Sequence, residues 1–490
     1  MRQPLIVDKY ITPKCRPEDV LIVINPSLWY QNMYPTGILC LSSYLSMHGY
    51  LNCLIDSKLH PQRIPFPARL QLVIERILSL KPRIVCFSST HKEFDEVVHI
   101  NSAIRRANPD IITIVGGAQP SYRMSDFITH GFDFVAIGEG EKTLLEFIRS
   151  ALETPGEWAD IDGLVWMRDG VPVVNRRRTF MSSEELGFPV ISAYQQLDDK
   201  YFEMGVEIIR GLPLIGGLLL TTRGCPFECS FCGCASIFGH KLRKRPLDTL
   251  DAELCYLKHS RGVEGVWIVD DTFTIDAKHA IGVAKLLKKY GLIWGCQSRV
   301  DTLKEPLIVE MKAAGCVQID FGVESGSQRI LNDVIFKKTT INQIKETFQL
   351  TKKYKIRTLA NFMIGLPSET GSDLAATKEL ARHIKADITV FSIATPLPGT
   401  KMYDMVGVDI SPEDYAKMNW NGSDLTDKLN KSEIDDVVRQ RFQLKRKYMF
   451  ISLLRFVFSP VNLNFFFFRG QHLKRAFTAI RSFWRTFVKG

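Results

Sequence analysis

Between residues 221 and 234 the chain reads TTRGCPFECSFCGC. Cys225, Cys229 and Cys232 are spaced C-x3-C-x2-C, Cys234 follows two residues later, and no histidine lies nearer than His240. Thiols this close can form a zinc clip, a disulfide knot or the anchor of an iron–sulfur cluster. A structural zinc site takes four ligands, usually from two C-x2-C knuckles well apart in sequence, and the chain has no second such pair. Three thiolates on one loop suit a cluster that keeps one iron open for a small ligand, so spacing favours the cluster and leaves zinc standing. The chain has 11 cysteines, an odd number. Cys15, Cys40, Cys53, Cys86, Cys296 and Cys316 are scattered, which argues against a disulfide framework and for a reducing, cytoplasmic setting. The first twenty residues hold no apolar core of the signal-peptide type.

The residues that could serve such a centre recur at the ends of apolar runs. Asp270 and Asp271 close GVWIVDD, Gln297 and Arg299 follow LIWGC, and Glu324 closes VQIDFGVE. Gly365, Pro367 and Glu369 lie in MIGLPSET, and TPLPGT ends the last run. A carboxylate can accept both hydroxyls of a ribose, and a guanidinium can pair with a carboxylate at two points. The plainer reading makes these residues caps and ion pairs around strand ends. Six strands, at 216–222, 265–271, 292–298, 317–325, 357–367 and 387–398, alternate with helical stretches such as AIGVAKLLKKYG. Six βα units fall two short of a closed eightfold barrel, so a partial, open barrel is expected, with its chemistry at the carboxyl ends of the strands. The thiol loop follows the first of them.

The first 150 residues show the same alternation. VLIVINP, LNCLID, RIVCFSST, IITIVGGAQP and FDFVAIG read as buried strands separated by amphipathic helices. Such runs predict a doubly wound parallel sheet covered on both faces, with ligands at its carboxyl edge. That edge carries Pro26, then Ser88, Ser89 and Thr90, then Gly116 and Gly117, and then Gly138, Glu139 and Gly140. The less regular stretch to residue 213, with NRRRTF and several prolines, reads as a linker.

The net charge of +10 is unevenly spread. Residues 439–490 hold 12 Lys and Arg and no acid, leaving 51 basic against 53 acidic residues over 1–438. A nearly neutral body does not suit nucleic acid. YMFISLLRFVFSPVNLNFFFF is apolar, but Arg455, Pro460, Asn462 and Asn464 interrupt it and argue against a membrane span. HLKRAFTAIRSFWRTFVKG puts Leu473, Phe477, Ile480, Trp484 and Phe487 at helical spacing, with Lys and Arg mostly on the other side. That pattern suits a helix lying in a membrane surface, or one packed on the barrel with a solvated basic face.

CPFECSFC, placed after the first strand of a six-unit barrel and carrying Phe231 before its last cysteine, resembles the radical S-adenosylmethionine (SAM) superfamily motif. The N-terminal sheet, with VGGAQPS and IGEGEKTL near its end, resembles the cobalamin-binding domain that precedes the barrel in one large class of these enzymes. The resemblance covers about residues 1–405. It implies that Cys225, Cys229 and Cys232 hold a 4Fe-4S cluster whose fourth iron chelates the amino and carboxylate groups of SAM. It further implies SAM contacts from Phe231, Arg299, Glu324 and Gly365, a catalytic place for Asp271, and cobalamin contacts from Ser88, Thr90, Gly116, Gly117, Gly138, Glu139 and Gly140. Cys234 reads as a small buried residue. The D-x-H-x-x-G motif that supplies a histidine to cobalt is absent, since DSKLHP does not match it, and His91 reads as a surface residue.

The implied organisation is a cobalamin-binding, Rossmann-like domain over 1–157, a linker over 158–213, a partial (β/α)6 radical SAM barrel over 214–405 and a helical basic region over 406–490. The implied activity is methylation of an unactivated carbon in a small-molecule or lipid substrate, fed by an electron donor such as flavodoxin or ferredoxin. Radical ring formation or carbon–carbon coupling is the alternative, and a non-enzymatic metal-binding scaffold is a third. The basic aromatic tail tilts the substrate toward a hydrophobic or membrane-associated molecule.

Overall fold

The computed structural model of the protein describes residues 15–24, 34–56, 64–203, 209, 212, 214–419, 421–423, 425–457 and 459. It divides into two compact units. The first takes residues 1–198 with 236–238 and 409–417, and the second takes 199–235, 239–408 and 418–490.

The first unit is built on a seven-stranded sheet. Its strands are β1 (Val20–Ile24), β2 (Cys53–Asp56), β3 (Ile84–Ser88), β4 (Ile112–Gly116), β5 (Phe134–Ala136), β6 (Leu164–Arg168) and β7 (Val171–Val174), in the order β2-β1-β3-β4-β5-β6-β7. The first five pair in parallel, and β6 and β7 join antiparallel. Every residue of β1 is buried, as expected for VLIVI in a strand covered on both faces. Strand order reverses between β1 and β3, and ligands of doubly wound sheets bind at the carboxyl edge beside such a reversal.

The stretch expected as a linker from 158 is a correction. Residues 164–174 form a hairpin that widens this sheet, turning at Asp169 and Gly170, both at positive φ. An Asp-Gly pair between apolar alternations is the sequence mark of such a turn. The helix Ile191–Gln196 then packs back on the same unit, where Gln196 Oε1 accepts the Leu54 amide at 3.0 Å and Ser43 Oγ accepts the Ala193 amide at 3.2 Å.

Residues 409–417 complete this unit from far along the chain. Tyr415 is fully buried, accepts a hydrogen bond from Arg123 Nε at 2.9 Å, donates to Asp126 Oδ2 and packs edge-on against Phe94.

The second unit holds β8 (Gly216–Leu219), β9 (Thr222–Arg223), β10 (Arg243–Lys244), β11 (Gly265–Ile268), β12 (Ile293–Ser298), β13 (Cys316–Glu324), β14 (Arg357–Ile364) and β15 (Ile388–Ile393). Six of these run parallel in the order β8-β11-β12-β13-β14-β15. β8 and β15 are not paired with each other, so the barrel stays open. Trp294, Phe321 and Phe362 are buried on these strands.

The helix Val437–Val457 lies along the edge strand β15, where Tyr448 packs on Phe391 and Ser452 Oγ accepts the Thr389 amide at 3.2 Å. No helix among the described residues is long and apolar enough to cross a membrane. The amphipathic helix expected near 471–489 lies outside the described residues.

Candidate active site

The thiol loop leaves the barrel just after β8, and the short antiparallel pair of β9 with β10 closes its base. Within the loop the Cys232 amide donates to Cys229 O at 3.0 Å and the Cys225 amide to Gly239 O at 3.2 Å. Ser230 ties the loop to the barrel: its amide donates to Ile335 O, its hydroxyl to Val334 O, and its carbonyl accepts the Met402 amide. The backbone is therefore fixed by its own hydrogen bonds.

The three thiols differ in surroundings. Hydrogen bonding from Cys234 brings Cys225 down to about 7, whereas burial pushes Cys229 up and Cys232 up to about 11. Cys225 and Cys229 both act electrostatically on Cys232, and the cations of Arg299 and Lys337 act on Cys229. Cys232 and Asp271 keep solvent access although protein crowds them on most sides, which marks a recess rather than an outer surface. Phe231 is half-buried between Ser230 and Cys232. Among the described residues no group of three or more His, Cys, Asp or Glu closes round a single metal ion. A cluster spreads its thiolates over separate irons and needs no such common point. Three thiols on one loop, offset by two cations, fit a cluster.

Around the thiols stand the polar residues of the strand ends. Arg299 donates from Nη1 to Cys229 Sγ at 3.4 Å. Its guanidinium lies 3.6 Å from the centre of the Phe227 ring, grips Asp301 through Nε and Nη2, and donates to Lys337 O. Glu324, the last residue of β13, has φ +67° and forms a buried ion pair with Lys337 at 2.9 Å. Asp270 is fully buried and takes the amides and hydroxyls of both Thr221 and Thr222, so it fixes the start of the thiol loop and does not face the recess. Asp271 accepts the Cys234 thiol at 2.9 Å. Gly365 is buried, and its amide donates to Glu369 Oε2 at 2.7 Å.

The carboxyl edge of the first sheet is stitched together by short polar contacts. The Ser89 amide donates to Gly116 O, and the Gln119 amide to Ser89 O. Ser121 Oγ donates to Gly117 O at 2.7 Å and accepts the Gly138 amide at 3.0 Å, joining the loops after β4 and β5. Gly117 has φ +105°, and a Cβ there would stand 2.8 Å from Ser89 O and 2.9 Å from Ser88 Oγ. A Cβ on Gly138 would meet nothing within 4 Å, so this rim leaves backbone open to a ligand. Gly116 makes no comparable demand, and Gly140 caps the helix Glu141–Glu153 against Leu41.

Two residues expected to face the ligand are engaged elsewhere. Thr90 donates from both its amide and hydroxyl to Glu93, and buried Glu139 accepts the Met181 amide at 3.0 Å. Sequence reasoning also missed Lys337, Asp301 and Phe227, and underrated Cys234. The Phe between the first two cluster cysteines and the Asp two residues after Arg299 were readable signals. Lys337 had none beyond its place in FKKTT.

Comparison with known proteins agrees with this geometry. Residues 29–148 match the B12-binding domain and residues 219–381 the radical SAM superfamily. The chain is 32% identical over 353 residues to an uncharacterized methyltransferase of Pyrococcus horikoshii, covering 70% of this chain and 73% of that one. It is 26% identical over 439 residues to the anaerobic magnesium-protoporphyrin IX monomethyl ester cyclase of Rubrivivax gelatinosus, covering 87% and 76%. Its fold is shared with the radical SAM methyltransferase TsrM of Kitasatospora setae, solved with cobalamin and a [4Fe-4S] cluster (TM-score 0.66, 18% identity, 80% and 76% covered). It is shared too with the cobalamin-dependent SAM radical enzyme OxsB (TM-score 0.70, 16% identity, 95% and 71% covered). The chain is a radical SAM enzyme and belongs to the branch of that superfamily that carries a B12-binding domain ahead of the barrel. The zinc-clip and scaffold readings fall with that finding.

Proposed function

We propose that the protein is a cobalamin-dependent radical SAM methyltransferase that places a methyl group on an unactivated carbon of a hydrophobic or membrane-associated substrate. The observation that carries this reading is the recess itself, where three loop thiols share one neighbourhood with Asp271, Arg299 and the Glu324–Lys337 pair. Cys225, Cys229 and Cys232 are the cluster ligands. When bound, the cluster supplies the electron that cleaves SAM and cobalamin supplies the methyl group.

The chain's own residues bind and orient. Lys337 holds Glu324 in the neighbourhood of Cys229, where the carboxylate is suited to the ribose hydroxyls of SAM. Phe227 and Asp301 pin Arg299 beside Cys229, which suits it to the SAM carboxylate. Asp271 steadies Cys234 against Cys225, Phe231 flanks the cluster, and Gly365 shapes the turn that Glu369 holds. In the first sheet Ser88, Gly116, Gly117, Gly138 and Gly140 form the rim for cobalamin, with Thr90 and Glu139 shaping its loops. The methyltransferase relative favours methyl transfer, and the cyclase relative favours ring formation as the second reading. The basic aromatic C-terminus supports a hydrophobic substrate. A flavodoxin or ferredoxin is the electron donor suited to such a centre.

The test is anaerobic. Protein from cobalamin-fed cells is reconstituted with iron and sulfide, then given SAM and dithionite. 5′-Deoxyadenosine is assayed beside Cys225→Ala, Cys229→Ala and Cys232→Ala, and methyl-labelled SAM is followed into a lipid extract. Deoxyadenosine from wild type alone, a corrinoid spectrum and labelled lipid are expected. Deoxyadenosine without corrinoid moves the assignment to ring formation, and stoichiometric zinc without deoxyadenosine overturns it.

A further inference from the structure

The helix Val437–Val457 has two faces with different contents. Its inner face seals the barrel edge: Leu444, Tyr448 and Ser452 are buried, Arg441 Nε donates to Phe391 O, and Arg455 donates to Ala386 O. An ordinary outer face on such a helix would be polar and of mixed charge. Here the outer positions four residues apart are Val438, Phe442, Arg446, Phe450 and Leu454, and all five are exposed. Phe442 is 55% and Phe450 63% exposed, the latter matching Val171 as the most exposed large apolar side chain among the described residues. A spacing of four on a 3.6-residue helix drifts by about 40° per step, so the five positions sweep about 160° across the outward half of the helix over roughly 24 Å. Arg439, Arg446 and Lys447 are interleaved with it, and no acid occurs from Val437 to the end of the chain. The Arg446 guanidinium lies 5.8 Å from the centre of the Phe442 ring, so cation and aromatic are presented side by side.

We infer that this outer face is a docking surface for an anionic lipid bilayer. Exposed phenylalanine and leucine gain by entering the headgroup boundary, while arginine and lysine beside them meet lipid phosphate. Residues 458–490, which follow the helix directly, add six more Lys or Arg and the run Phe465–Phe468. The remainder of the chain beyond the helix holds no acid to set against these cations, whereas an anionic bilayer offers phosphate and an apolar interior together, matching the mixed arginine and phenylalanine of the face. The surface concerns where the enzyme works and stands whether or not its substrate is a lipid.

The test is flotation of the full-length protein with vesicles of phosphatidylcholine alone and of phosphatidylcholine with 30% phosphatidylglycerol by design. Binding to the anionic vesicles only, weakened by raising the salt, is expected. The Phe442→Glu/Phe450→Glu variant should bind at least about tenfold more weakly, since two apolar anchors are lost and two like charges face the lipid phosphates. Both positions are exposed, so the melting temperature should hold, and Phe442→Ser/Phe450→Ser checks that loss of the apolar anchors alone weakens binding. Equal binding by wild type and both variants, or no binding by wild type, overturns the inference. A wild-type dimer that the variant converts to monomer, with vesicle binding unchanged, assigns the face to a second copy instead.

Discussion

A methyl group at position 322 would fall on Glu324 Oε1 and stand 2.8 Å from Lys337 Nζ, so the buried pair in its present arrangement leaves no room for a side chain there. Gly322→Ala should cost about 1–3 kcal/mol by overpacking and weaken SAM binding to the reconstituted protein at least about tenfold, read by equilibrium dialysis. Lys337→Met leaves Glu324 buried without its cation and should cost about 3–5 kcal/mol in denaturant unfolding. Lys337→Met/Glu324→Gln should recover much of that loss, because no unpaired charge remains.

Glu369 offers a pH test. Its Oε2 takes two backbone amides, its Oε1 is buried without a partner, and burial pushes the carboxyl up to about 7. A folded-state value above the unfolded one means the folded chain holds the proton more tightly. Its contribution is therefore full below about 4.5 and is lost as pH rises toward 7, by about 3 kcal/mol at most. Melting temperatures from pH 5 to 8 should fall less in Glu369→Gln than in wild type.

At this scale the thiol loop stood out in sequence because residue type and spacing together suggest a cluster. Lys337 did not, because its partner lies 13 residues back across an irregular turn. Thr90 and Glu139 show what sequence leaves out: a polar residue at a strand end can also take contacts within the protein, here with Glu93 and with the Met181 amide.

Among the elements, the helix Val437–Val457 closes one open edge of the barrel sheet, and Leu444 is the side chain that best reports on it. Leu444→Ala should cost about 2–5 kcal/mol, measured by chemical denaturation, whereas the exposed Leu454→Ala should cost little. The parallel strands of both sheets were readable in sequence to within a few residues, since near-continuous β-branched runs have few other folded solutions. The β6–β7 hairpin escaped notice although Asp169–Gly170 announces it. VPVV in β7 is almost wholly exposed, so it lacks the buried alternation that marks a strand. The two-residue strands β9 and β10 carry no period at all. The C-terminal helix was hidden for another reason: apolar residues on both faces erase the amphipathic contrast, and only the structure separates the buried Tyr448 from the exposed Phe450.

The whole molecule separates its two ligand chemistries into two units, and charge into a nearly neutral body and a cationic end. Cobalamin at a hundredfold its dissociation constant should stabilise the unit that binds it by about 2.7 kcal/mol, seen as a rise in that unit's unfolding transition by calorimetry. Gly117→Ala, which sets a methyl against Ser89 O, should abolish most of that rise. The division itself was only partly legible, because nothing in the sequence of 409–417 says that it belongs with residues 1–198. That return has a consequence for synthesis. Tyr415 fills the place beside Phe94, Arg123 and Asp126, yet it is made 217 residues after Asp198. At translation rates of about 5–20 residues per second, the nascent first unit waits roughly 11–43 s with that pocket unfilled. During that interval the ring of Phe94 and the side chains of Arg123 and Asp126 lack the contacts that Tyr415 supplies in the finished fold.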